Sequence, residues 1–132
     1  MWKNHGFTLL ELILAIVLMG ILAISGLPHF FNIAHDAKEK TRESTVLAIR
    51  QGIEHYHVGD LIDQGTGVGR FPAALDDAPD GVTACDPCFT EVIEGGLVSP
   101  LWYKGSDTVY IYNDNENPAI TYTYDPTTGT FE

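Results

Sequence analysis

Few residues in this chain have the types and spacing to do chemistry. Cys85-Asp86-Pro87-Cys88 sets two thiols three positions apart. A zinc site needs about four ligands, and no second cysteine pair or nearby histidine pair supplies the rest. A thioredoxin-like redox site needs a βαβ setting with its thiolate on a helix N-terminus. Free thiols and a structural disulfide complete the readings. Asp76, Asp77 and Asp80, and separately Asp114 and Glu116, offer oxygen ligands for calcium. Neither group follows the EF-hand spacing, so solvated acidic loops are the expected reading. His29, His35, His55 and His57 are scattered, and a pair two positions apart does not share a helix face. Gly65-Thr66-Gly67-Val68-Gly69 has no strand before it and no Gly-Lys-Ser/Thr after it, so it reads as a flexible connector and not a phosphate loop. No Ser-His-Asp or paired-carboxylate set is recognisable. One acidic residue stands out by its surroundings: Glu11, near the start of a long apolar run.

The run belongs to MWKNHGFTLLELILAIVLMGILAISGLP. Residues 7 to 27 are almost wholly apolar. As a helix, 21 residues at about 1.5 Å each span roughly 32 Å, close to the hydrocarbon thickness of a bilayer. The run exceeds the ~7–15 residues of a signal-peptide core, and the small residue Gly6 precedes it where a signal peptidase needs one after it. The segment therefore reads first as a membrane anchor. A carboxylate inside such a helix is expensive without a partner, and residues 7 to 27 contain no Lys, Arg or His. A partner arises if the chain is cut after Gly6. The new Phe7 α-amino group is positive at neutral pH and lies four residues from Glu11 on one helix face. In a bundle, the amine of one subunit would meet Glu11 of its neighbour and fix the axial register.

Gly6-Phe7-Thr8-Leu9-Leu10-Glu11 before a long apolar helix resembles the N-terminal signal of type IV pilins and type II secretion pseudopilins. The resemblance covers residues 3 to 31. It implies that a membrane prepilin peptidase cuts between Gly6 and Phe7 and methylates the Phe7 amine. It also implies that Glu11 neutralises a neighbour's N-terminus during assembly. Gly20 and Pro28 match the places where family members put helix-weakening residues.

Beyond the apolar run the pattern turns amphipathic. Phe30, Phe31, Ile33, Ala34 and Ala37 lead to Val46, Ile49, Ile53 and Tyr56 at spacings of three and four. One helix is expected from about residue 7 to 58, interrupted near Gly20 to Pro28, where the imino acid removes a donor and favours a kink or a melted stretch. The glycines and prolines of residues 59–100 read as loop. The C-terminal third alternates. Tyr110 and Tyr112 oppose Val109 and Ile111, while Ile120, Tyr122 and Tyr124 oppose Thr121 and Thr123. Turns are expected at 113–118 and 126–129, a short strand at Thr130 and Phe131, and a first strand at 101–103. The alternating tyrosines read as packing and not as a conduction path. The fold expected is α+β: a pilin-like lollipop with a long N-terminal helix packed on an antiparallel sheet of three or four strands. Its parts are a leader (1–6), a membrane and filament-core segment (7–28), an amphipathic helix half (29–58) and a globular head (59–132) with its sheet at 101–132.

The chain has 132 residues and a net charge of −11, with the acidic residues almost entirely beyond residue 35. Such a head repels nucleic acid and anionic membrane surfaces. Roughly 105 residues remain after the anchor, a modest core and little room for an enzyme. Aromatics reach 11%, which argues against disorder. Export to an oxidising compartment makes a Cys85–Cys88 disulfide the favoured reading of the cysteines. Some pilins of the mannose-sensitive haemagglutinin type carry a similar close pair and a similar Tyr-Thr-Tyr-Asp…Thr-Gly-Thr-Phe ending. The resulting expectation is a structural pilin, not an enzyme, with no cofactor required unless calcium occupies the acidic loops. It waits as a single-pass protein in the bacterial inner membrane among lipids. It is then processed by prepilin peptidase and handed by inner-membrane machinery into a helical homopolymer outside the cell. The alternatives are a major pseudopilin of a periplasmic type II secretion pseudopilus and a membrane-anchored binding domain that does not polymerise.

Overall fold

A computed structural model describes residues 6–65, 67–81 and 83–132, without the side chains of 27–32. The order is one long helix and then four strands: α1 (Leu9–Gln64), β1 (Trp102–Ser106), β2 (Val109–Tyr112), β3 (Ile120–Asp125) and β4 (Thr130–Phe131). The fold is α+β, as expected. The chain forms two compact units, Met1–Arg42 and Glu43–Glu132.

The first unit is the N-terminal part of α1. Thr8 begins the helix as its N-cap: its Oγ1 accepts the Glu11 N–H at 3.2 Å, and its carbonyl accepts the first helical bond, from Leu12, also at 3.2 Å. The helix is unbroken through Gly20 and Pro28, so this stretch is not melted in the single chain. A proline withdraws only one N–H from the ladder, and the helical bonds on both sides persist. The kink expectation depends partly on the 27–32 side chains, which lie outside the described residues. Ser25 satisfies its hydroxyl within the helix, donating to the Ile21 and Leu22 carbonyls at 3.2 and 3.1 Å.

The second unit holds the core. The helix continues six residues past its expected end. Gly59 costs about 1 kcal/mol inside it without stopping it, and Gly65, at φ +59, ends it. The sheet is antiparallel in the order β1-β2-β3-β4. Trp102 faces Tyr112, Tyr110 faces Tyr122, and Tyr124 faces Phe131. The inward row of Trp102, Tyr110, Tyr112, Tyr124 and Phe131 packs on Val46, Ile49 and Ile53 of the helix. Each of these side chains is buried, as period-2 and period-3.6 patterning require.

The segment between helix and sheet is more structured than a connector. Leu75, Asp76, Cys85, Cys88 and Phe89 are all buried. Phe89 sits among Trp102, Tyr110 and Phe131 at ring separations of 5.3, 4.6 and 6.0 Å. Its φ of 60° is rare for a side chain this large, and the Asp76 carboxylate anchors it by accepting the Phe89 N–H at 2.8 Å. The segment also covers one sheet edge, where Gly81 and Cys85 donate to the Lys104 and Trp102 carbonyls at 3.0 and 3.1 Å. Asp60 accepts from the Arg70 backbone and guanidinium at 2.9 to 3.3 Å, closing the glycine loop onto the helix end.

Candidate functional site

The chemistry at the N-terminus is positional. Gly6 lies outside the helix, three residues before its first residue, and among the described residues nothing stands within 4 Å of where a Cβ would be. Phe7 is 83% exposed. From Leu9 to Gly26 eighteen apolar-rich residues form a helix long enough to cross a membrane, about 27 Å at 1.5 Å per residue, with none of it buried inside the chain. Glu11 is at the third helical position. Its carboxylate therefore lies where the exposed N–H groups of the first turn give the helix its positive end. Among the described residues it has no ion-pair partner, which leaves a charge on an otherwise apolar cylinder.

Thr8 is a helix cap that the motif spelled out and the apolar pattern hid. Thr8-Leu9-Leu10-Glu11 has the Ser/Thr-x-x-Glu spacing of a capping box. The threonine fixes the start of the helix, and hence the axial height of Glu11 above Phe7. Nothing among the described residues stands within 4 Å of where a Cβ of residue 20 would be, so none of them demands glycine there.

The remaining candidates lie in the second unit. Cys85 and Cys88 are joined as a disulfide, buried against the Trp102 carbonyl. The Asp86–Pro87 bond between them is cis. The acidic residues separate into different roles. Asp76 is 1% exposed, which corrects the expectation of a solvated acidic loop at this position. It pairs at 3.2 Å with Lys104, itself only 2% exposed. Asp80 lies 3.9 Å from the same ammonium, and Asp77 is exposed. Asp114 holds its own turn, accepting the Glu116 and Asn117 N–H groups at 3.0 and 2.9 Å. Among the described residues, no three His, Cys, Asp or Glu side chains are grouped as a metal site. His57 stacks on Phe71 at 4.3 Å.

Lys104 went unnoticed in the sequence although its signal was present. It alternates in phase with Trp102, so an inward Trp102 forces the lysine inward, where it needs an acid. Burial opposes its charge, but hydrogen bonds to Asp107 and Asp76 more than offset that and hold the ammonium above the usual lysine range.

Residues 3–27 match the family described as the prokaryotic N-terminal methylation motif. No curated protein and no solved structure matches the chain. The matched stretch contains Gly6, Phe7, Thr8 and Glu11 with the geometry given above. The chain thus carries the signature of the type IV pilin and pseudopilin family, a family of structural subunits and not of enzymes.

Proposed function

We propose that this chain is a type IV pilin, the precursor of a subunit in a pilus-like extracellular filament. Prepilin peptidase cuts it between Gly6 and Phe7 and methylates the new amine, and inner-membrane machinery then draws it from the bilayer into a helical homopolymer. The observation that carries the reading is Glu11: a carboxylate on a fully exposed apolar helix, one turn from the expected new N-terminus. A lone anchor gains nothing from that charge, whereas a polymer uses it to select register. Two further features favour a pilus over a secretion pseudopilus. These are the close Cys85–Cys88 pair and the Tyr-Thr-Tyr-Asp to Thr-Gly-Thr-Phe ending, both resembling pilins of the mannose-sensitive haemagglutinin type.

Intact-mass measurement of the protein from its host tests the processing. The expected product lacks residues 1 to 6 and carries one added methyl group on Phe7. Electron microscopy then tests the filament type: long sheared surface fibres containing this chain support a pilus. Fibres absent from the surface, with the processed chain confined to the periplasm, point to the pseudopilus instead.

A further inference from the structure

The oxygens around the Lys104 ammonium form a cage drawn from two separate parts of the chain, the 76–80 segment and Asp107. Nζ lies 2.8 Å from the Ala78 carbonyl, 3.3 Å from the Asp76 carbonyl and 3.2 Å from Asp76 Oδ1. Asp107 Oδ1 is at 3.2 Å and Asp80 Oδ1 at 3.9 Å. The turn after β1 brings Asp107 back over the lysine three positions earlier. Next to these groups, the buried Tyr110 hydroxyl makes no hydrogen bond of good geometry. Burial and then the Asp76 charge raise its phenol.

A carboxylate-rich cage of main-chain and side-chain oxygens is the ligand type that calcium selects. Here an ammonium already sits among these oxygens, with N–O contacts of 2.8 to 3.3 Å that lie in the hydrogen-bond range. The three ammonium protons are matched to the Ala78 carbonyl and to the Asp76 and Asp107 carboxylates. Asp76 and Asp80, which the sequence offers to calcium, are therefore already turned toward a cation that belongs to the chain.

We propose that the Lys104 ammonium is the structural cation of the second unit, filling a cage that a divalent ion would otherwise occupy, so that the 76–80 segment is held to the sheet without metal. The consequence is a head indifferent to calcium and to chelators. The inference rests on the geometry of residues 76–110 and is independent of whether the chain polymerises.

Thermal unfolding of the full-length chain in detergent tests it. The wild type should show the same midpoint in chelator and in millimolar calcium. Lys104→Ala should unfold at a lower temperature in chelator. At calcium about fivefold above its dissociation constant, the midpoint of this variant should rise by roughly 4–8 °C. Lys104→Ala/Asp76→Asn removes the buried charge as well. It should fold without calcium and lose the response. A wild-type midpoint that falls in chelator would overturn the proposal, because a metal would already be present. So would a Lys104→Ala variant indifferent to calcium, whether folded or not. A calcium response retained in the double variant would place the ion elsewhere and overturn it equally.

Discussion

Arg50 Nε donates to the Phe131 carbonyl at 2.8 Å, tying the helix to the last strand across 81 positions. β4 is only two residues long and forms the edge of the sheet. Its outward carbonyl would otherwise be an open edge acceptor. Arg50→Ala should lower the unfolding free energy by about 1.5–3 kcal/mol, the usual range for a hydrogen bond to a charged group. Urea unfolding of the full-length chain in detergent measures this. An unchanged midpoint would mean that the strand needs no clamp.

Gly52 lies in α1 where the segment near Val92 crosses it. A Cβ at position 52 would collide with the Val92 backbone oxygen and carbon. In an isolated helix Gly→Ala gains about 1 kcal/mol. Overpacking costs about 1–3 kcal/mol, and backbone cannot rotate aside as a side-chain end can. Gly52→Ala should therefore destabilise the second unit. Gly59→Ala, where nothing among the described residues stands within 4 Å, should stabilise the chain. The same urea titration compares them, and equal signs for the two variants would refute the close approach.

The core tyrosines set an alkaline limit. Burial, with the Asp125 charge adding to it, pushes the Tyr124 phenol up to about 12. Its hydroxyl donates to the Pro72 carbonyl at 2.6 Å. Tyr110 is raised further by burial and Asp76, and Lys104 is also held above its ordinary value. In each case the folded chain keeps a proton that the unfolded chain releases near pH 10. Stability is then complete below pH 10 and falls as pH rises toward 12, by up to about 1.4 kcal/mol per pH unit for each group. Thermal midpoints across that window should fall steeply, with late tyrosinate absorbance appearing together with unfolding. A flat profile would show that these phenols are not shielded.

The disulfide closes a loop of only four residues, so chain-entropy arguments give it about 2 kcal/mol. Cys85→Ala/Cys88→Ala should lower stability by roughly that amount and leave the fold standing. In chain recovered from its host, alkylation without reductant should label neither cysteine. Quantitative labelling of both would show that the bond is absent.

The strands were legible because tyrosine alternation has one physical solution: Tyr110, Tyr112 and Tyr124 bury together only if the 109–112 and 120–125 segments are strands. The stripe at Val46, Ile49 and Ile53 was equally direct, and Gly6 to Glu11 spelled out the processing motif. The buried roles of Leu75, Asp76 and Phe89 were not legible. They sit in glycine- and proline-rich chain with no period, and their partners are distant: Asp76 meets Lys104 across 28 positions. Gly59 misled the helix end, because one glycine weakens a helix without stopping it.

Glu11 carries the most consequential prediction. Its backbone N–H is capped by Thr8 and its side chain is not needed for that bond, so the helix starts at the same place in every Glu11 variant. What a variant changes is the charge one turn from the N-terminus that the proposed cleavage creates. On the proposed filament reading, the Glu11 carboxylate of a correctly staggered subunit meets a neighbour's Phe7 amine. A wrong stagger leaves both groups unpaired in an apolar interior, at a cost of about 3–5 kcal/mol by comparison with broken buried pairs. Glu11→Val removes that selection and strands the neighbouring amine, while making the segment a better membrane anchor. It should be inserted and cleaved normally but assemble poorly. Glu11→Asp, one methylene short, should be intermediate. Glu11→Gln keeps the size and loses the charge, so it should resemble Glu11→Val. Each variant is expressed in the host, membrane levels and loss of residues 1 to 6 are matched, and sheared filaments are counted. Filaments in wild-type amount from a normally cleaved Glu11→Val would mean that register is set elsewhere along the helix and that the carboxylate has another purpose.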